Sequence, residues 1–236
     1  MAETTSAQWR RAIWRHPEWW ALGLSGAAWV AMIAPIAGHG HHHMEGRWST
    51  WVGEFQHWSL MSIAMMLPLV VDAVRTVAAR SLWSRRDHAI CAFLFGYLGL
   101  WLLAGGLLTL TLTLASADAG LRPIFVAAVF ALAAGWQLTP AKRLALSWCH
   151  RTQPLAPRGW RADCDCFRYG CTLGLGCLAS CGIVMAGCAI ANHSALVMSC
   201  ASSVGIVDRY SARVDQRLLA GLLVIVAVAF AGKAVF

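Results

Sequence analysis

The stretch CTLGLGCLASCGIVMAGC, residues 171–188, contains no charged residue and is long enough, with its flanks, to read as a membrane-crossing helix. Its sulfur content sets it apart: Cys171, Cys177, Cys181, Met185 and Cys188 all lie within it. At about 100° per residue, Cys177, Cys181, Met185 and Cys188 fall at roughly 0°, 40°, 80° and 20° around a helix, so they share one face. Thiolates and thioethers suit soft ions such as Cu(I). The plainer alternative is that cysteine serves here as a small hydrophobe in a helix interface. Gly174, Gly176, Ala179, Ser180, Gly182 and Gly187 would let neighbouring helices approach closely.

Working outward, the whole chain of 236 residues is 58% hydrophobic and only 13% charged, with mean hydropathy +0.57. A soluble domain carries about 25% charged residues, so the composition implies an integral membrane protein of all-α class whose first partner is the lipid bilayer. The formal net charge of +8 does not point to nucleic acid, because the basic residues sit between apolar runs rather than on one amphipathic stretch. None of the nine cysteines falls in an expected outer loop, which argues for reduced thiols over a disulfide framework. No Walker loop, dinucleotide fingerprint, GxSxG or HExxH is present, and no catalytic activity is expected.

The apolar segments fall at 19–38, 58–78, 89–114, 122–146, 168–190, 194–210 and 217–236, a polytopic bundle of about seven spans, or six if the short sixth is discounted. The first is longer than a signal-peptide core and is expected to remain attached. With the N-terminus inside and the C-terminus outside, every basic residue except Arg47, Arg122 and Lys233 lies on the inner side, as the positive-inside rule demands. The chain then reads as one domain, 1–236, with a His-rich outer loop at 38–57 and a basic, Cys-containing inner loop at 141–168. Tryptophans near span ends, such as Trp19, Trp58 and Trp148, read as interface anchors.

This topology sorts the remaining donors. His39, His41, His42 and His43, beside Met44, Glu45 and Glu54, form an imidazole-rich outer tract suited to capturing a metal. His57, Met61, Met65 and Asp72 lie within about 80° of one another on the second span, a ladder from the outer end inward. A methionine stripe is also routine helix packing, and Asp72 has Arg75 as a ready salt-bridge partner. Pro68 should kink this span. His193 occupies the outer turn after the fifth span, and Met198 and Cys200 on the sixth are within reach of the sulfur face if the two spans pack antiparallel. On the inner loop, Cys149, His150, Cys164, Asp165 and Cys166 lack the CxxC spacing of a tight zinc site. Asp208 and Arg209 are expected to pair with each other at the inner end of the sixth span.

Three motifs, AMMLP at 64–68, AGWQLTPAK at 134–142 and CLASCGIVM at 177–185, resemble those of a bacterial family of uncharacterised integral membrane proteins described as predicted metal-binding. The family pattern CLGCCWxLM matches at Cys177, Cys181 and Met185, with Ser180 in place of a cysteine and Gly182 in place of the tryptophan. Its Glu-Lys pair resembles Asp208 and Arg209. The resemblance and the donor set together lead to the expectation of a multi-pass protein of the bacterial inner (plasma) membrane that binds, relays or transports a soft transition metal. That metal would be copper as Cu(I), ahead of zinc. Its ligands would be Cys177, Cys181, Met185 and Cys188 at depth, His57, Met61 and Met65 as relay, and His39, His41, His42 and His43 as collectors. The competing expectation is an accessory or assembly subunit of a larger membrane metalloenzyme, such as a copper-dependent membrane monooxygenase, acting through contacts with other membrane proteins or with its own copies.

Overall fold

The computed structural model describes residue 16 and residues 18–37, 47–115, 121–156, 158–211 and 215–235. The imidazole tract of His39, His41, His42 and His43 lies outside the described residues. Among those described, the regular structure is entirely helical, in nine α-helices: α1 Glu18–Ala37, α2 Arg47–Met66, α3 Val71–Arg80, α4 Arg86–Ala115, α5 Arg122–Gln137, α6 Pro140–Cys149, α7 Gly159–Ile190, α8 Ala195–Tyr210 and α9 Gln216–Val235. By length and composition, three segments are apolar enough to cross a membrane: Trp83–Ala115, Gly159–Ile190 and Gln216–Lys233. The number rises to five if the bent pairs α2–α3 and α5–α6 each count as one span. Helix α1 stands outside that set, as does α8, whose 16 residues reach only about 24 Å, short of a hydrocarbon core of about 30 Å.

Two elements differ from the sequence reading. The stretch 141–168, expected as a loop, is mostly helix: α6 runs to Cys149 and α7 begins at Gly159, and of the described residues between them 150–156 and 158 belong to neither. Charged residues there extend α7 beyond its apolar part, which hydropathy alone reads as loop. Cys164, Asp165 and Cys166 therefore ride on a helix. The fourth segment is not a straight span either, because α5 and α6 meet at 80°. Thr139, held extended (φ −78°, ψ 149°) by the proline that follows, caps α6 by accepting a hydrogen bond from the Lys142 N–H, and Pro140 occupies the first turn.

Helix α7 is the hub, packed most extensively on α4 and also against α5, α6 and α8. The α4–α7 contact is backbone on backbone. A Cβ at Gly96 would overlap the Phe167 carbonyl oxygen, and one at Gly170 would overlap that of Phe93. Where no hydrophobic effect drives helices together, such close approach supplies the packing energy. Farther along α4, the Trp58 indole of α2 occupies the space a side chain at Gly105 would need, and its Nε1–H donates to the Trp101 carbonyl at 2.8 Å.

Pro68 breaks the second segment, bending α2 from α3 by 41°. Proline has no N–H to give the Ala64 carbonyl, and the Ser25 hydroxyl of α1 donates to that carbonyl instead, at 2.6 Å. The Pro68 carbonyl in turn accepts from the Tyr210 hydroxyl at the end of α8, at 2.9 Å. The break is thus held from both sides.

Gly96→Ala and Gly170→Ala should each lower the thermal midpoint in detergent by several degrees, the scale of an overpacking cost of about 1–3 kcal/mol. Gly99→Ala on the same helix, where an added Cβ meets nothing within 4 Å, should leave it unchanged.

Candidate metal centre

The sulfur face of α7 is realised: Cys177, Met185 and Cys188 are buried and Cys181 is partly buried, and all nine cysteines of the chain are free thiols. The face does not converge on one point. Because its members spread along the helix axis, each meets different neighbours. Cys177 faces Cys149 of α6, with the two Sγ atoms 3.6 Å apart. Cys181 and Met185, one turn apart, face α2. Cys188 lies at the end of α7, where its carbonyl accepts from the His193 N–H at 3.0 Å. Cys171 turns toward α4, its thiol 3.7 Å from the Gly96 carbonyl.

Cys181 and Met185 line a cavity of about 20 Å³ together with Met65 and Met66 at the end of α2. That is room for about one water-sized occupant. Four sulfur-bearing side chains, three methionines and one cysteine, are thus among those lining it, Met65 and Met66 lying just before the break at Pro68. Met61, a turn earlier, is fully buried in the core but is not among the lining residues, and Asp72 is exposed and lies 3.6 Å from Arg75. Among the described residues, no group of three His, Cys, Asp or Glu side chains is arranged to hold an ion. The cavity lining pairs these soft sulfur side chains with harder groups, Asp208, Gln137 and Ser202, on its other walls.

The floor of the cavity is ionic. Lys142 Nζ lies 2.8 Å from Asp208 Oδ2, both side chains 2% exposed, and donates to the Ser180 carbonyl at 2.7 Å. Gln216 Nε2 donates to Asp208 Oδ1 at 3.0 Å, and Gln137 Nε2 donates to Gln216 Oε1 at 2.6 Å, tying α5, α6, α7, α8 and α9 into one network. Asp208 thus pairs with Lys142, not with its neighbour Arg209 as expected, because the α5–α6 bend carries Lys142 into the bundle. Sequence reasoning passed over this pair, although a lysine and an aspartate within apolar segments were the signal for it.

At the far end of α7 a second donor pair forms. The rings of His57 on α2 and His193 lie 5.6 Å apart. Asn192 and His193 adopt φ of 56° and 52°, the left-handed conformation that terminates α7; asparagine tolerates it readily. His57 Nδ1 is 2.9 Å from the Gly53 carbonyl, a contact that assigns its proton to Nδ1 and leaves Nε2 as an acceptor. His193 Nε2 is buried without a partner among the described residues. Burial, aided by His57, pushes the His193 pKa down to about 4. The ring is neutral at pH 7 and suited to bind a cation.

Two predictions follow from these contacts. Lys142→Met alone leaves Asp208 charged and unpaired, and should cost about 3–5 kcal/mol, whereas Lys142→Met with Asp208→Leu should recover most of that; a double-mutant cycle on thermal midpoints measures it. For His193, the folded state binds fewer protons than the unfolded state between the folded value near 4 and the unfolded value of about 6.5. Its contribution to stability is complete above about pH 6.5 and is lost as pH falls toward 4. His193→Gln should flatten that part of the stability–pH curve.

No curated protein and no solved structure matches the chain. A family model described as PpoB2, copper chaperone, matches residues 55–233, well over half of the chain; the matched range includes every cavity residue, both facing imidazoles and the Cys149–Cys177 pair, and begins after His39–His43. The protein, whose buried donors are thioethers and thiols, belongs to the PpoB2 copper chaperone family.

Proposed function

We propose that this protein is a membrane-embedded Cu(I) carrier of the bacterial inner membrane, which holds its cargo between Met65, Met66, Cys181 and Met185 and hands it to a copper-requiring partner protein. The observation that carries this reading is the cavity of about 20 Å³ whose lining includes four sulfur-bearing residues from two helices. Thioethers and a thiol are soft, polarisable donors that favour Cu(I) over zinc, which prefers four thiolate or imidazole ligands. The neighbouring Lys142–Asp208 pair is neutral overall, so the ion's charge is met mainly by the Cys181 thiolate once its proton has left.

His57 and His193 are the natural point of entry, since their rings face each other at one end of the sulfur-bearing helix. His39, His41, His42 and His43 precede α2 in the chain, on the same side as that entry in the N-inside topology, and would collect the ion. Met61 stands between His57 and Met65 on α2 and would shorten the step between them. Cys188 lies on α7 between the imidazole end and Met185. No step here makes or breaks a covalent bond in a substrate, so the role is binding and transfer rather than catalysis. The role of an accessory subunit in a larger membrane metalloenzyme is the same chemistry with a permanent partner, and a stable complex in mild detergent would mark it.

Met65→Leu with Met185→Leu preserves volume and removes two thioethers. The purified double variant should bind Cu(I) at least tenfold more weakly, about 1.4 kcal/mol or more, in competition with a chromophoric Cu(I) chelator. Unchanged affinity overturns the cavity assignment.

A further inference from the structure

Cys149 and Cys177 lie apart from the four-sulfur cavity. Their Sγ atoms are 3.6 Å apart and each residue is 2% exposed. Helix α6 reaches α7 here because of Gly176, where an added Cβ would stand 3.1 Å from Cys149 Sγ and 3.3 Å from the Cys149 nitrogen. Two further groups attend the pair. Tyr97 of α4 is fully buried and its hydroxyl lies beside the Cys177 thiol. The Arg209 guanidinium acts electrostatically on both cysteines, and its Nη1 is buried with no hydrogen-bond partner among the described residues.

We infer that Cys149 and Cys177 form a second Cu(I) station, a two-thiolate site one helical turn from Cys181; this rests on the reading of the protein as a Cu(I) carrier. Binding forms two S–Cu bonds and releases both thiol protons to water. Two thiolates and one Cu(I) carry a net charge of −1, which would be costly in a bundle interior without a counter-ion. Arg209 supplies it. The Tyr97 hydroxyl beside Cys177 can donate to a thiolate sulfur, a bond for which the thiol form offers a poorer acceptor. Zinc is disfavoured because, among the described residues, no third His, Cys, Asp or Glu completes a shell, whereas two soft sulfurs suffice for Cu(I). Cys177 and Cys181 are i and i+4 on α7, about 6 Å apart along its axis, so the two stations can exchange an ion in a single step.

The test loads the full-length protein with Cu(I), in detergent and under anaerobic reducing conditions, and counts bound copper by competition with a chromophoric chelator. The wild type should hold two equivalents. Cys149→Ser and, independently, Cys177→Ser should each hold one. Met65→Leu with Met185→Leu should retain one, and its copper-edge X-ray absorption should show a two-sulfur environment. Unchanged stoichiometry in both serine variants, alongside a loss in the methionine variant, overturns the second station and leaves the cavity standing. Loss in the serine variants with full binding in the methionine variant supports the station and removes the cavity. A Cys149–Cys177 disulfide in protein isolated from membranes, with no copper bound after reduction, also overturns the proposal.

Discussion

The architecture depends on the place where α4 and α7 touch through their backbones. Gly96 and Gly170 each sit where the partner helix presents a carbonyl oxygen, so neither position tolerates a side chain without displacing a helix. In lipid this kind of contact replaces the driving force that water would supply to a soluble core. Because α7 also carries Cys177, Cys181, Met185 and Cys188, its placement against α4 fixes the height and rotation of every donor it presents. What each donor meets is then decided by the other helices.

Those helices reach α7 through broken segments. Pro68 halts α2 beyond Met65 and Met66, and the carbonyls that the break releases are satisfied from α1 and α8. Pro140 and the Thr139 cap turn α6 sharply away from α5, which brings Lys142 to Asp208 and Cys149 to Cys177. Both irregularities lie beside polar or sulfur-lined space, where surrounding protein groups let the backbone leave helical geometry. The buried ion pair is unfavourable in isolation; here it is joined to Gln216, Gln137 and the Ser180 carbonyl, which supply the hydrogen bonds that offset part of its desolvation.

Local information in the sequence reaches as far as periodicity and proline chemistry do. The common face of Cys177, Cys181 and Met185 follows from helical spacing, and the break at Pro68 from a missing N–H. The division of that face among different neighbours does not, because angular position around a helix carries no information about distance along it or about which neighbour stands opposite. Asp72 shared an angular sector with Met65, yet it lies beyond the break and faces outward. Cys149 read as a loop residue because its surroundings are polar, and its meeting with Cys177 is a product of the α5–α6 turn. The partner of Asp208 was misread for the same reason: adjacency in sequence favoured Arg209, while tertiary packing delivered Lys142.

The interlocked α4 and α7 backbones have a mechanical consequence. A pair of helices in direct main-chain contact resists sliding or separating, so the freer adjustments fall to the elements facing it. The α2–α3 break is fastened by two side-chain hydroxyls rather than by meshed main chains, and hydroxyl bonds can be exchanged singly for water or for one another. That leaves the proline joint the more lightly fastened of the two junctions, with Ser25 and Tyr210 as its two pins.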